Sequence, residues 1–156
     1  MVDTQNNVES PKGFRIIHIT NRCKMKQFRD TPYYVTEDGK VYRYWPKRKV
    51  KNGINKKTGK QAYVNRPEKW DLRKPFIDSN GYYYVSIWGN NKEKRFQTHR
   101  MVAELYCDGY FEGAHVDHID CNTGNNHYTN LQWCSSAYNS KKGNNPNYPL
   151  FTSGSK

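Results

Sequence analysis

Asp117 and His118 stand side by side, Asn130 follows twelve residues after that histidine, and Asn139 lies nine residues further on. A neutral imidazole is the side chain whose pKa lies nearest neutrality, so His118 is suited to taking a proton from water. Asp117 and Asn139 offer a carboxylate and an amide carbonyl, a hard oxygen pair suited to Mg²⁺ or Mn²⁺. A base for water and a cation for phosphate charge are the parts that phosphodiester hydrolysis requires. Two protein ligands leave coordination positions for water and substrate oxygens. Adjacent strand residues point to opposite faces, so Asp117 and His118 reach one substrate only if the strand ends or twists there.

The local sequence supplies elements to hold these groups. Ala114 to Ile119 reads as a short strand, and Asp120 to Thr129, rich in Asn, Gly and Asp, reads as an ordered loop. Leu131 to Cys134 returns as a second strand, and Ser135 or Ser136 caps a helix over SAYNSKK that stops at Gly143. The arrangement resembles the HNH nuclease motif, or ββα-metal finger, in the form found in homing endonucleases of phages and introns. Asp117-His118, Asn130-Leu131-Gln132-Trp133 and Asn139 carry the resemblance, with both intervals at the family spacing. Upstream, Thr98-His99-Arg100-Met101-Val102-Ala103 is similar to the family's "His-Arg-x-Val-Ala" helix.

The resemblance implies four catalytic-site residues, His118, Asp117, Asn130 and Asn139. His118 would be the general base, Asp117 and Asn139 the ligands of one divalent metal ion, Mg²⁺ or Mn²⁺, and Asn130 the brace of the loop. It also implies double-stranded DNA as partner and 5′-phosphate and 3′-hydroxyl ends. A monomer would nick one strand, and a double-strand break would take a homodimer or two events. The origin implied is a phage or mobile element, with action in the host cytoplasm. Family members often continue into helical DNA-reading modules, and no such pattern follows Gly143, which argues against a long, stringently read target site.

Charge is distributed to match. The chain of 156 residues carries +12, with 26 Lys and Arg against 14 acids. Lys40 to Lys74 holds 13 basic residues and two acids, net +11, whereas Met101 to Lys156 holds three lysines and five acids, net −2. A polyanion-gripping region thus precedes a slightly acidic one that can hold a cation. No apolar run approaches the ~20 residues of a membrane span, and no signal peptide is visible, so no membrane partner is expected. The four cysteines (Cys23, Cys107, Cys121, Cys134) form no C-x-x-C pair, which argues for reduced thiols. A mixed zinc site from His115, Cys121, His127 and Cys134 is a minor alternative.

The fold class expected is α+β: N-terminal antiparallel β hairpins with a basic arm, then a helix and a ββα-metal (HNH) finger. Residues 1–70 would form a basic β-rich DNA-binding region, 71–143 the nuclease domain with its preceding hairpin and helix, and 144–156 a flexible tail. Met1 to Lys12 is polar and expected to fray, and Phe14 to Thr20 is β-prone without an assignable partner. Tyr33–Thr36 and Lys40–Trp45 pair across Glu37-Asp38-Gly39, since Asp-Gly supplies the positive φ angles of tight turns. Pro46 to Pro67 is the basic arm, an extended ribbon along DNA or else a solvated linker. Lys47, Arg48, Lys49, Lys51, Lys56, Lys57 and Lys60 would neutralise phosphates, with Arg43 and Arg66 as further DNA-binding candidates. Tyr82 to Trp88 and Glu93 to Gln97 form a second hairpin, and Thr98 caps a helix over His99 to Cys107 with a stripe of Met101, Val102, Leu105 and Tyr106. Two rival functions remain at this point: a catalytically silent DNA-binding module, and an RNase or toxin nuclease built on the same finger.

Overall fold

The computed structural model describes residues 8–9, 15–18, 24–89 and 91–152. In chain order the elements are β1 (Val8–Glu9), β2 (Arg15–His18), β3 (Lys24–Gln27), β4 (Tyr33–Thr36), β5 (Val41–Trp45), β6 (Arg48–Ile54) and β7 (Gln61–Arg66). They continue with β8 (Lys69–Leu72), β9 (Phe76–Ile77), β10 (Tyr83–Gly89), β11 (Lys92–Gln97), α1 (Thr98–Tyr106), β12 (His115–His118), β13 (Leu131–Cys134) and α2 (Ser136–Lys142). Every pairing among these strands is antiparallel. Six form one sheet in the order β1-β2-β3-β4-β5-β8, three form β11-β10-β9, and the pairs β12-β13 and β6-β7 stand as two-stranded sheets. The β-prone segment that lacked a partner, Arg15–His18, pairs with β3 on one side and β1 on the other. Apart from Val8–Glu9, the expectation for residues 1–12 lies outside the described residues, as do Cys23, Asn90 and the last four residues of the tail.

The β6-β7 ribbon is an insertion between two strands that are themselves paired, from Tyr42↔Leu72 to Trp45↔Lys69. It therefore leaves the sheet at one point and returns to the same point. Aromatic and charged groups tie that base together: Trp45 Nε1 donates to Asp71 Oδ2 at 2.8 Å, Lys69 meets Asp71 at 2.6 Å, and the Arg43 guanidinium lies 3.7 Å over the Trp45 ring. Along the ribbon Lys49↔Asn65 and Lys51↔Tyr63 are opposite pairs on one face, and Arg48↔Arg66 and Val50↔Val64 on the other. Tyr63, Val64 and Ile54 remain exposed. Pro46 to Pro67 is thus strand, turn and strand, a ribbon that no second layer covers among the described residues.

One helix organises the core. Met101, Val102 and Leu105 of α1 are each at most 1% exposed and pack with Phe28, Tyr33, Val35, Val41, Val85, Ile87 and Leu131. On its other side Ala103 meets Ala114 and Trp133. Residues on both sides of position 70 therefore share one core. Tyr106, expected in the buried stripe, is half-buried instead, with its hydroxyl donating to Val35 O at 2.7 Å. The helix also begins differently from expectation: Gln97 is the N-cap and makes no capping bond, while Thr98 is the first helical residue and is buried with its hydroxyl unpartnered. The turn of the β4-β5 hairpin packs against the Thr98 methyl group, and as the first helical residue Thr98 does not occupy the capping position.

Gly39 is where that turn touches the finger. Its φ is +83°, and a Cβ placed there would come 2.9 Å from Asn126 Cβ and 3.1 Å from Thr98 Cγ2. Tyr128 N donates to Glu37 O at 2.9 Å across the same contact. The segment after α2, expected to be loose, folds back: Tyr138 Oη donates to Pro149 O at 2.6 Å, Phe151 N donates to Gln132 Oε1 at 3.0 Å, and Phe111 stacks on Phe151. Its aromatic residues find partners on the finger that polarity alone does not reveal.

Candidate active site

The finger is built as strand, loop, strand and helix. Asp117 is opposite Gln132 and His118 opposite Leu131 in the β12-β13 pair, and β12 ends at His118. The chain turns there, with Cys121 N donating to His118 O at 2.9 Å and Cys121 at φ +62°. Asn130 crosses the loop with three hydrogen bonds, accepting from Asp120 N at 3.1 Å and donating to Asp120 Oδ1 at 2.8 Å and Asn125 O at 2.9 Å. Loss of hydration pushes the Asp120 carboxyl up, but bonds from Asn125, Asn122 and Asn130 outweigh it and hold the group below the usual carboxylate range. Ser135 Oγ accepts from Tyr138 N at 3.1 Å and so caps α2, and Gly143 ends it.

Asp117 and His118 look in opposite directions from the ribbon, as strand alternation requires. His118, 5% exposed, faces α1 and the loop, with its ring 5.1 Å edge-on from that of His99 and its Nε2 3.2 Å from Asn126 Oδ1. Burial pushes its imidazole below the ordinary value, with Asn126 and the charges of Asp120 and Asp117 opposing part of that change. His99 is also 5% exposed, with Nδ1 unpartnered, and burial followed by the proximity of His118 takes it down to about 3. Both rings are neutral at pH 7. Tyr82 lies over the pair, 5.2 Å from His99 and 6.1 Å from His118.

Asp117, 7% exposed, faces α2. Its two oxygens each lie 2.8 Å from Lys142 Nζ, and Oδ2 also accepts from Gln132 Nε2 at 2.7 Å. The same ammonium lies 2.5 Å from His118 O and 3.1 Å from Ile119 O. Asn139 is exposed on α2, three residues before Lys142, and no hydrogen bond links it to Asp117. Of the four residues expected from the sequence, Asp117, His118 and Asn130 are buried and Asn139 is exposed. The Asp117 carboxylate and the His118 and Ile119 carbonyls thus gather hard oxygen atoms around the Lys142 ammonium. That chemistry fits a hard divalent ion held by Asp117 with Asn139.

Sequence reasoning missed Asn126, Gln132 and Lys142; it expected that His99 could approach the site from the helix start with a supporting hydrogen bond, and the ring does lie beside His118, although its Nδ1 is unpartnered. Only Lys142 had a readable signal, since a residue three after Asn139 shares its side of the helix. The mixed zinc site is not formed: among the described residues no group of three or more His, Cys, Asp and Glu could hold a metal ion. Burial pushes the Cys134 thiol up to about 11, so it remains protonated and a poor metal ligand.

The family model described as HNH endonuclease matches residues 96–141, from the end of β11 through most of α2. Over those residues this chain is similar to HNH endonucleases. It is 32% identical over 142 residues to an uncharacterized HNH endonuclease of Acanthamoeba polyphaga mimivirus, covering 86% of this chain and 41% of that protein. It is 44% identical over 63 residues to DNA endonuclease I-HmuI of Bacillus phage SP01, covering 40% of this chain and 36% of that protein. A solved structure of DNA binding and cleavage by the HNH homing endonuclease I-HmuI aligns with a TM-score of 0.53 at 32% identity, covering 74% of this chain and 52% of that one. The chain thus spans about half or less of these relatives' length. The antiparallel strands and two helices described above match that HNH endonuclease fold.

The basic residues expected to meet DNA divide by position. Lys47, Arg48, Lys49, Lys51, Lys56, Lys57, Lys60 and Arg66 are exposed on or beside the ribbon. Arg43 is half-buried at its base, clamped over Trp45, with Nε enclosed and unpartnered. Among the described residues no helix is long and apolar enough to cross a membrane.

Proposed function

We propose that this HNH protein is a DNA endonuclease that hydrolyses phosphodiester bonds in duplex DNA with one divalent metal ion. The observation that carries the reading is the end of β12, where a neutral, buried histidine adjoins a buried carboxylate that already holds a cation, the Lys142 ammonium. An amide oxygen only accepts, so the bond to Asn126 Oδ1 places the His118 proton on Nε2 and leaves the Nδ1 lone pair to take a proton from water. Asn126 is on this reading a positioning residue for the base, and Asn130 holds the loop that carries it. Asp117 and Asn139 would hold Mg²⁺ or Mn²⁺. When bound, the ion supplies charge stabilisation to the phosphate and the leaving 3′ oxygen. One site per chain favours nicking by a monomer. The relatives' phage and viral sources favour a mobile-element origin and action in the host cytoplasm.

The ribbon supplies the grip. A two-stranded β-ribbon fits the major groove of B-DNA, and the exposed lysines and arginines along this one would meet phosphates on either side. The test is duplex DNA cleavage by wild type and by His118→Ala, with Mg²⁺, with Mn²⁺ and with EDTA, and with RNA beside DNA. Cleavage of DNA by wild type only with metal, lost in the variant while binding is retained, is the expected result. DNA binding without cleavage under every metal condition would refute the nuclease reading and leave a binding module. Preference for RNA would replace the substrate.

A further inference from the structure

Lys142 is a buried charge that the proposed chemistry does not use. Its side chain is 1% exposed, so it cannot neutralise a bound phosphate. Its ammonium instead lies within 3.1 Å of four oxygens, the two of Asp117 and the backbone carbonyls of His118 and Ile119. An ammonium has three protons and here faces four acceptors, so the cage is organised around positive charge rather than around three directed bonds. Carboxylate and carbonyl oxygens are also the ligands that hard divalent ions take.

The position of the lysine gives this arrangement its consequence. Asn139 precedes it by three residues on α2, so the two residues share one side of the helix, the side from which Lys142 reaches Asp117. A divalent ion shared by Asp117 and Asn139 would sit beside the ammonium, with strong repulsion between like charges in a poorly hydrated site. The lysine stem is flexible, and the residue is the last of a seven-residue helix, one position before Gly143. The ammonium can therefore move with little disturbance of the helix.

We propose that Lys142 is the resident cation of the metal-free site and that the divalent ion binds by displacing its ammonium from Asp117. The inference rests on the reading of Asp117 as a metal ligand. In the metal-free protein Lys142 keeps the buried carboxylate compensated and fixes the carbonyls of the turn that follows His118. It thereby positions the site and lowers its affinity for metal.

The test combines Mn²⁺ titration calorimetry and thermal melting on wild type, Lys142→Gln, Lys142→Arg and Asp117→Asn. Lys142→Gln is expected to melt below wild type in EDTA, to bind Mn²⁺ at least about tenfold more tightly, and to recover more on saturation with metal. Lys142→Arg, which keeps the charge, is expected to stay near wild type, and Asp117→Asn to lose binding. A merely structural lysine would lower melting equally with and without Mn²⁺ and leave affinity unchanged, which overturns the proposal. Wild type provides an independent readout should the glutamine variant not fold. Its Lys142 ¹⁵Nζ–¹H signals, protected in EDTA by burial, are expected to exchange away as Mg²⁺ is added, and their persistence at saturating Mg²⁺ refutes displacement. If wild type shows neither heat nor spectral change with either ion, the metal reading itself fails and takes this inference with it. If metal binds and Lys142 does not respond, only the inference fails.

Discussion

Replacing Gly39 by Ala tests whether the N-terminal hairpin supports the base through Asn126. Two costs arise at this position. Alanine at φ +83° is strained by about 1–2 kcal/mol, and its Cβ would lie 2.9 Å from Asn126 Cβ, a contact that forces local movement worth about 1–3 kcal/mol. Gly59 provides the control, because its φ is +64° and nothing lies within 4 Å of an added Cβ. Gly59→Ala therefore carries the strain alone. The difference between the two variants, about 1–3 kcal/mol in urea denaturation, isolates the contact. A second consequence concerns rate. The Asn126–His118 bond is already 3.2 Å long, so a small displacement of Asn126 breaks it, and losing one hydrogen bond worth about 0.5–1.5 kcal/mol lowers turnover roughly 2- to 10-fold. Single-turnover cleavage at saturating DNA reads this without interference from binding. If Gly39→Ala is no less stable than Gly59→Ala and cleaves at the wild-type rate, the link between hairpin turn and base does not exist.

Two further outcomes are expected. His99 and His118 are held neutral by burial, so the folded state binds fewer protons than the unfolded chain, and stability falls as pH drops below the unfolded value of 6.5. With His99 down at about 3, the loss approaches ~1.4 kcal/mol per pH unit between 6.5 and that value, and urea denaturation between pH 7 and 5 should show a shallower dependence in His99→Asn. An unchanged slope would mean that this histidine is protonated in the fold. On the ribbon, Lys49→Ala with Lys51→Ala is expected to weaken binding evenly across DNA sequences and to reduce the salt slope by about 2, read from affinity between 50 and 200 mM salt; a change confined to one sequence would assign the pair to base reading instead.

The strands and the helix of the finger were legible from short-range signals. Asp117, His118, Asn130 and Asn139 have fixed spacings, Ser135 and Gly143 bound a helix, and Asp38-Gly39 marks a turn, because each depends on a few neighbouring residues. Sequence likewise located the positive charge in residues 40–74 and the apolar stripe of α1. Thr98 shows where such reasoning stops: its type suits a cap, but a hairpin turn sixty residues earlier in the chain occupies its methyl group.

Side-chain partners across long separations were decided only by the tertiary structure. Asn126 meets His118 because the loop folds back over β12, and Lys142 meets Asp117 because α2 packs against that strand. His99 reaches His118 from α1, and neither their mutual distance nor their loss of hydration has any trace in composition. The tail's docking through Tyr138 and Phe151 is of the same kind. The physical reason is common to all: local propensity fixes backbone conformation over a few residues, whereas the burial of a charge and the identity of its counter-charge depend on which distant surfaces the hydrophobic core brings together.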